Sequence, residues 1–259
     1  MLLAIDVGNT NIVAGVFAGD SLVTLWRLTT ETRRTGDEYA LLLSGLFRLA
    51  GLDVARVQGV AVCSVVPPVL TALTGALEKH WGLSPLVIST QLDLGIEVRY
   101  TPPTAIGADR IANAVAAIDR FGAPSVVVDF GTTTNFDVIS PDGAYIGGIL
   151  APGLEISEEA LYRSTAQLRR VPLVPPPTAI GGSTTAALQS GILFGYAGLV
   201  DGLVERICGE LGGQAHVVAT GGLAETIAPL TRTVQRIDDD LTLYGLFLLY
   251  RRNAPDAGD

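Results

Sequence analysis

A short pattern that occurs twice does most to limit what this chain can fold into. An apolar run ends in Asp6-Val7-Gly8-Asn9-Thr10, and one in the second half ends in Asp129-Phe130-Gly131-Thr132-Thr133. The β-branched residues of each run predict a buried strand, and the Gly two residues after the Asp predicts a tight turn open to a ligand. A strand-end carboxylate beside turn N–H groups suits a cation and a phosphate together. We therefore expect a duplicated fold with a site between its halves.

The strands predicted after the two turns are spaced alike. Two strands follow the first turn, over 11–17 and 21–28, and two follow the second, over 135–140 and 144–150. The hairpin turns that separate them, at Asp20 and Gly143, lie equally far from Asp6 and Asp129. This match favours an internal repeat over a coincidence of two Asp-x-Gly sequences. The fold class we expect is α/β with two similar lobes, 1–122 and 123–259.

The rest of the chain has the periodicity of helices that alternate with strands. Helices are predicted over 37–50, 67–81, 107–122, 155–168, 184–211 and 240–250, further strands over 57–63, 86–88 and 216–219, and loops over 29–36, 100–103 and 171–177. The helix over 184–211 is so apolar that we expect it in the core or in a subunit interface. Residues 251–259 are expected to form a frayed tail.

Composition argues against several classes of protein. The 259 residues are 48% hydrophobic and 17% charged, so the chain can bury a substantial core. A net charge of −9 and a pI near 4.7 argue against a nucleic-acid surface, which needs a basic face. Strongly apolar stretches such as 241–250 are too short to span a bilayer, and the N-terminus lacks the basic segment of a signal peptide. We therefore expect a cytoplasmic protein that binds neither nucleic acid nor membrane.

Few residues are available for nucleophilic, zinc or lysine chemistry. Cys63 and Cys208 are expected to be buried small hydrophobic residues, and neither combines with His80 or His216 at a spacing usual for zinc. The sequence contains no G-x-S-x-G elbow. Its single lysine, Lys79, excludes a Walker A loop and the protein-kinase lysine. A phosphate group must therefore be bound without lysine.

Three other candidate sites are ambiguous from the residues alone. Asp109-Arg110 fits a charged first turn of a helix, where the macrodipole favours an acid, but Gly107-Ala108 before it would let another group approach the backbone. A helix N-terminus also keeps a carboxylate ionised, as a base requires. Thr184-Thr185 fits a helix N-cap. Thr220-Gly221-Gly222 fits a plain strand–helix turn as well as a nucleotide contact.

Several motifs, in order and at fitting distances, resemble those of the type III pantothenate kinases. They are Asp6-Val7-Gly8-Asn9-Thr10, Gly107-Ala108-Asp109-Arg110, Asp129-Phe130-Gly131-Thr132, Gly147-Gly148 with Pro152-Gly153, Gln189-Ser190-Gly191 and Thr220-Gly221-Gly222. The resemblance extends from Leu3 to about Leu246. Because this family lies within the actin, sugar-kinase and heat-shock ATPase-like superfamily, the resemblance implies two ribonuclease H-like lobes with nucleotide in the cleft between them.

The resemblance also implies an activity and a set of site residues. The activity is phosphorylation of pantothenate by ATP, the first step towards coenzyme A, with Mg²⁺ and a monovalent cation (K⁺ or NH₄⁺), in a homodimer formed by helices of the second lobe. ATP would be bound by Asp6, Val7, Gly8, Asn9, Thr10, Asn11, Ile12, Val13 and Thr132. Pantothenate would be bound by Tyr100, Gly107, Ala108, Asp109, Arg110 and Thr184, with Asp109 as the base and Thr184 reaching across the dimer interface. Asp6 would lie near Mg²⁺, and Asp129 would bind K⁺.

Two positions depart from the family pattern, and other functions stay open. Thr133 stands where the family more often has Ala, and Gly182-Ser183 precede Thr184 where Asn is expected. The alternatives are another small-molecule kinase or phosphohydrolase of the same superfamily, and a nucleotide-binding regulator without catalysis. Loss of Asp6 or Asp109 would favour the regulator, but both are present.

Overall fold

The computed structural model describes residues 1–165 and 168–254 and has the predicted α/β fold. The chain divides into two compact units. Unit 1 contains Met1–Ala116 and the chain from Leu241 onward, and unit 2 contains Ala117–Asp240. Each unit is built on one five-stranded mixed sheet.

Ten strands and seven helices are present in the described residues. The strands are Leu2–Val7 (β1), Asn11–Ala18 (β2), Ser21–Thr29 (β3), Gly59–Ser64 (β4), Leu86–Val87 (β5), Ser125–Phe130 (β6), Thr133–Ile139 (β7), Tyr145–Pro152 (β8), His216–Thr220 (β9) and Arg236–Ile237 (β10). The helices are Gly36–Leu49 (α1), Pro67–Trp81 (α2), Ala108–Phe121 (α3), Leu154–Arg163 (α4), Thr184–Glu210 (α5), Ala224–Ile227 (α6) and Leu241–Asn253 (α7). Short 3₁₀ turns cover Val54–Arg56, Pro103–Ala105 and Ala228–Leu230.

The first two helices begin and end at the signals that their sequences carry. Thr35 caps α1 in a capping box with Glu38, in which each side chain accepts from the other residue's backbone N–H. Pro67 occupies the first turn of α2, where a missing N–H costs nothing. Gly82 ends α2 in the left-handed conformation, with φ of 66°.

In unit 1 the central strand is held from both faces of the sheet, whose order is β3-β2-β1-β4-β5. Leu3, Ile5 and Val7 of β1 point to one face and pack against α1 and α2. The opposite face carries α7, where the Phe17 and Phe247 rings stack with centroids 4.7 Å apart. The carboxyl end of β1, which carries Asp6, is thereby fixed in place.

Unit 2 repeats the sheet of unit 1. Its strand order is β8-β7-β6-β9-β10, so β6 takes the central place of β1, with β7 antiparallel on one side and β9 parallel on the other. The second turn is one residue shorter than the first. Asp6 pairs with Val13, seven residues later, whereas Asp129 pairs with Asn135, six residues later. The matched topology confirms the predicted duplication at the level of the sheets.

Helix α5 is an exception to the expectation that the strongly apolar stretches are too short to span a bilayer. It has 27 residues, and the mean hydropathy of its most apolar 18 residues is 1.3, so by length and composition alone it could cross a membrane. Within unit 2, however, Leu193, Val200 and Val204 pack against the sheet, and the buried Asp201 accepts hydrogen bonds from a neighbouring loop. One face of α5 therefore belongs to the core of unit 2, which is one of the two roles predicted for this helix.

Two predicted helix ends were wrong. α4 ends at Arg163 rather than at Leu168, because Thr165 N bonds to Tyr162 O and closes a tighter turn; positions 166 and 167 of that predicted helix lie outside the described residues. α7 continues through Asn253, whose side-chain amide donates to Asp93 O at 2.8 Å, so the predicted tail begins later. Residues 255–259 of that tail lie outside the described residues.

Two features were not anticipated from the sequence. Strand β10 has only two residues, too few for a periodic signal. The predicted lobe boundary at 122 assigns the whole C-terminal part to the second lobe, whereas α7 belongs to unit 1 because it packs on β1, β2 and β4.

Candidate active site

The first turn is closed by its own backbone and by Thr30. Gly8 N donates to Asn11 O at 3.0 Å, and a Cβ on Gly8 would lie 3.1 Å from the same oxygen, which leaves little room for a side chain. The Thr30 hydroxyl donates to Gly8 O at 2.7 Å, and Thr30 N donates to Thr10 O at 2.9 Å. Asn9 and Thr10 are exposed at the tip. Thr30, which the sequence placed in a loop without a role, therefore supports the turn.

Asp6 stands in a row of four side chains across the sheet of unit 1. Asp6 is paired with Cys63 of β4 and with Val13 of β2, and Val13 is paired with Arg27 of β3. Paired residues of neighbouring strands point to the same face, so these four side chains share one face. Cys63 is fully buried, as predicted, but its thiol also donates to Asp6 Oδ1, with Sγ 3.0 Å from the oxygen. Cys63 is therefore a polar contact of the site and not only a packing residue.

Burial and a neighbouring acid change the protonation of this row. Burial raises the pKa of Asp6 from 3.8 to about 7; the Cys63 hydrogen bond opposes the rise, Asp109 adds to it, and Arg27 lowers it. Burial and the same two acids raise the pKa of the Cys63 thiol well above its ordinary value, so the sulfur keeps its proton. The negative charge of Asp109 thus opposes ionisation of Asp6, and a cation bound at Asp6 would favour it.

Asp109 lies in the first turn of α3 and folds back over Gly107. Arg110 N donates to Asp109 Oδ1 at 2.9 Å, and a Cβ on Gly107 would overlap the same oxygen. The group for which Gly107 leaves room is therefore the Asp109 carboxylate itself. Arg110 is buried and Tyr100 is half-buried in the loop that precedes α3.

The second turn is in contact with two glycines to which the sequence assigned no definite role. A Cβ on Gly221, which has φ of +91°, would overlap Asp129 Oδ1. A Cβ on Gly153 would overlap the carbonyl oxygen of Thr132 and crowd that of Gly131. The half-buried Asp129 carboxylate and the exposed Thr132 are therefore packed closely by glycine backbones from two other segments of unit 2.

Thr184 is the first residue of α5 but does not cap the helix. Ser183 is the N-cap, and its Oγ accepts a hydrogen bond from Ala186 N at 3.2 Å. The predicted N-cap at Thr184-Thr185 is therefore wrong, because the cap lies one residue earlier. Since Asn and Ser are both strong N-caps, Ser183 can take over the capping role where the family pattern has Asn. Thr184 itself is exposed.

The Asp6 carboxylate beside the first turn fits a magnesium ion that enters with a nucleotide. Across residues 1–165 and 168–254, no group of three or more His, Cys, Asp or Glu side chains is arranged to hold a metal. Mg²⁺ is usually bound by one or two carboxylates together with waters and substrate phosphates, so it needs no such group. The Asp6 carboxylate supplies one ligand of that kind.

The amino-acid sequence matches one family over most of its length. The family model for type III pantothenate kinase matches residues 2–206. A type III pantothenate kinase of Moorella thermoacetica is 49% identical over 253 residues, covering 98% of this chain and 100% of that protein. The chain belongs to the type III pantothenate kinase family. A family member from an Anaeromyxobacter species is also 49% identical, with the same coverage of both chains.

Solved structures share the fold of this family member at low sequence identity. A protein of Sinorhizobium meliloti named as a 2-dehydro-3-deoxygalactonokinase superimposes with a TM-score of 0.61 at 14% identity, covering 100% of this chain and 99% of its own. The activator of 2-hydroxyisocaproyl-CoA dehydratase from Clostridium difficile, with bound ADPNP, gives 0.52 at 12% identity, covering 97% and 95%. These likenesses place the chain in the sugar-kinase and actin-like ATPase fold.

Proposed function

We propose that this chain phosphorylates pantothenate with ATP, the first step towards coenzyme A. The observation that carries the proposal is membership of the type III pantothenate kinase family over nearly the whole chain. The arrangement of Asp6 and Asp109 in unit 1 supports it. Because the transition state of phosphoryl transfer is loose, catalysis rests mainly on positioning and charge neutralisation, which need no lysine.

The first turn and the strand that follows it are the proposed binding segment for the ATP phosphates. The segment comprises Asp6, Val7, Gly8, Asn9, Thr10, Asn11, Ile12 and Val13, and Thr132 makes a further ATP contact. The support is structural: Thr30 holds the turn closed from behind, and Asn9 and Thr10 are left exposed. Turn N–H groups and small polar side chains are suited to phosphate oxygens.

Asp6 and Asp129 are the proposed cation ligands. Asp6 is assigned to the Mg²⁺ that accompanies ATP, and Asp129 to a monovalent cation, K⁺ or NH₄⁺. Bound cations bridge and neutralise phosphate oxygens during such transfers. The close packing of Gly221 against the Asp129 carboxylate supports a role that requires a fixed orientation.

The acceptor is assigned to the N-terminus of α3. Pantothenate is bound by Tyr100, Gly107, Ala108, Asp109 and Arg110, with Thr184 contributing from a second subunit. Asp109 orients the acceptor hydroxyl and takes its proton late, because a loose transition state leaves that proton in place until the phosphoryl group has nearly arrived. The hydrogen bond from Arg110 N fixes the carboxylate for this task.

The active form is proposed to be a cytoplasmic homodimer. α5 and α4 border an apolar groove of about 370 Å³, lined by Leu154, Leu161, Ile192, Tyr196 and Leu199 among others. Only 33% of the most apolar 18-residue stretch of α5 is buried within the chain. Much of this apolar surface is therefore left for a second copy of the chain to cover.

An assay of pantothenate phosphorylation with ATP and Mg²⁺ tests the activity, with and without K⁺. We expect 4′-phosphopantothenate to form, at a much lower rate when only Na⁺ or a bulky organic cation is present. Phosphate released from ATP without an acceptor would favour a hydrolase. Turnover of another alcohol in a substrate panel would favour a different kinase, and nucleotide binding without turnover would favour a regulator.

A further inference from the structure

The Asp6 carboxylate accepts a hydrogen bond from the neighbouring strand β4. In the part of the chain that the structure describes, its one hydrogen-bond donor is the Cys63 thiol, with Sγ 3.0 Å from Oδ1. The two residues are directly paired in the parallel β1–β4 ladder, so the contact is set by the register of the sheet. Cys63 is fully buried, and its position in β4, between β1 and β5, leaves the thiol little freedom to move away.

We propose that Cys63 is a positioning residue for Asp6: its thiol engages Oδ1 and holds the carboxylate so that Oδ2 is presented to magnesium-bound ATP. This inference rests on the proposed role of Asp6 in the kinase reaction. A carboxylate has two acceptor oxygens, and a donor on one of them fixes the plane in which the other lies. Partners of this kind orient metal ligands, and their loss typically lowers metal affinity or activity 10- to 100-fold.

The chemistry of sulfur suits this position. A thiol is a weak hydrogen-bond donor, so it directs the carboxylate without withdrawing much of the charge that a metal ion requires. Cys63 itself remains outside the proposed set of metal ligands, because its thiol keeps its proton and donates a hydrogen bond to Asp6. A serine at 63 would retain a donor in the same direction, whereas an alanine would remove it.

Three variants separate positioning from packing. Cys63→Ala removes the donor, Cys63→Ser retains it, and Val62→Ala is the matched truncation control. Val62 is equally buried and directly precedes Cys63 in β4, but it points to the opposite face of the sheet. Each variant is assayed for the Mg²⁺ concentration that gives half-maximal activity at saturating ATP and pantothenate, and its thermal unfolding is recorded.

We expect Cys63→Ala to raise that Mg²⁺ concentration by about 10-fold, with Cys63→Ser and Val62→Ala within about 2-fold of the unmodified chain. An unchanged Mg²⁺ requirement in Cys63→Ala would overturn the inference, as would an equal increase in Val62→Ala. If Cys63→Ala does not fold, Cys63→Ser decides: a serine variant that folds but needs about 10-fold more Mg²⁺ contradicts the role of a simple donor.

A second measurement is independent of the acceptor. Electron paramagnetic resonance measures Mn²⁺ binding in the presence of a non-hydrolysable ATP analogue, and we expect Cys63→Ala to weaken it while Cys63→Ser does not. If the unmodified chain fails to phosphorylate pantothenate but Cys63→Ala still weakens Mn²⁺ binding, the proposed acceptor is wrong and the inference on Cys63 stands. Equal Mn²⁺ binding in all variants overturns the inference whatever the acceptor.

Discussion

At the scale of single residues, the position of the Asp109 carboxylate depends on a glycine two positions earlier. Gly107 leaves the space that Asp109 Oδ1 occupies, and Arg110 N donates to that oxygen. Only glycine tolerates so close an approach to the backbone. The Gly-Ala-Asp-Arg motif therefore encodes a carboxylate orientation as well as a chemical group.

The first prediction concerns the acid itself. Asp109→Asn should lower kcat by about 10² or more, because an amide neither accepts the hydroxyl proton nor orients that hydroxyl as a carboxylate does. ATP affinity, measured by isothermal titration calorimetry, should change little. The exposed Asp119 at the other end of α3 supplies the control, Asp119→Asn, which should retain full activity. Near-normal turnover in Asp109→Asn would remove this acid from the mechanism.

The second prediction concerns the space beside that acid. Gly107→Ala should displace the carboxylate and lower kcat by roughly 10- to 10²-fold, since a misplacement of about 1 Å can cost that much. Gly45→Ala in α1, where a Cβ meets nothing within 4 Å, is the matched control and should leave kcat unchanged. Steady-state kinetics of both variants provides the comparison, and equal kcat values would contradict the packing argument.

At the scale of secondary-structure elements, a buried acid joins α5 to the loop before β10. Asp201 is 4% exposed and accepts from Arg232 N at 2.9 Å, Thr233 N at 3.0 Å and Thr233 Oγ1 at 2.8 Å. Burial by itself would raise the pKa of Asp201, but the hydrogen bonds from Thr233 and Arg232 outweigh it and lower the pKa below its ordinary value.

The third prediction follows from the sign of that change. Because the folded-state pKa is lowered, Asp201 stabilises the fold at pH values above its unfolded pKa, and this contribution is lost as the pH falls through the folded-state pKa. At pH 7, Asp201→Asn should lower the free energy of unfolding by about 2 kcal/mol. The deficit should shrink on acidification from about pH 5 towards pH 3. Urea unfolding of both chains at several pH values between about 3 and 7 measures this difference in unfolding free energy, and the exposed Asp239→Asn is the control. A difference that does not vary with pH would contradict the stabilising role of the ionised Asp201.

The fourth prediction concerns the packing of α7 against α3 in unit 1. A Cβ on Gly245 would overlap the carbonyl oxygen of Ala112, so Gly245→Ala should force the helices apart and destabilise the chain by about 1–3 kcal/mol. Gly75→Ala in α2, where a Cβ meets open space, should instead stabilise it by about 0.5–1 kcal/mol. Opposite shifts of Tm in calorimetry are expected, and a rise of Tm in Gly245→Ala would show that the helices yield without strain.

At the scale of the whole molecule, one sheet topology is used twice. The order β3-β2-β1-β4-β5 in unit 1 recurs as β8-β7-β6-β9-β10 in unit 2, and each central strand ends in an acid followed by a glycine turn. The helices that connect the strands differ: a single α-helix, α1, joins β3 to β4 in unit 1, whereas the short α4 and the 27-residue α5 join β8 to β9 in unit 2. The two units thus share the Asp-x-Gly turn after the central strand, while their helices differ.

The fifth prediction tests the oligomeric state. Leu199 is 37% exposed at the groove of α4 and α5, and a charge placed there would oppose burial by a second copy. Sedimentation velocity should show a dimer for the unmodified chain and a monomer for Leu199→Glu. Leu41→Glu, at a leucine of α1 that is 71% exposed, should leave the dimer intact. A monomeric unmodified chain at micromolar concentration would contradict the proposed assembly.

Local sequence determined most of the secondary structure. Strand-forming runs, glycine turns and caps act over a few residues, so the predicted helix 67–81 coincides with α2 and the α/β duplication was correct. Family motifs led to the first turn, Asp109 and Asp129 because they are contiguous in the chain. These features required no knowledge of distant contacts.

Only the tertiary structure decided which distant residues join these motifs. The register of β1 with β4 brings Cys63 to Asp6, and the packing of unit 2 brings Gly153 to Thr132 and Gly221 to Asp129. Such pairs are far apart in sequence, and no periodicity or short motif records a strand register or a backbone approach. The sequence therefore determined where the two Asp-x-Gly turns form, while the packing of strands determined what holds their side chains in place.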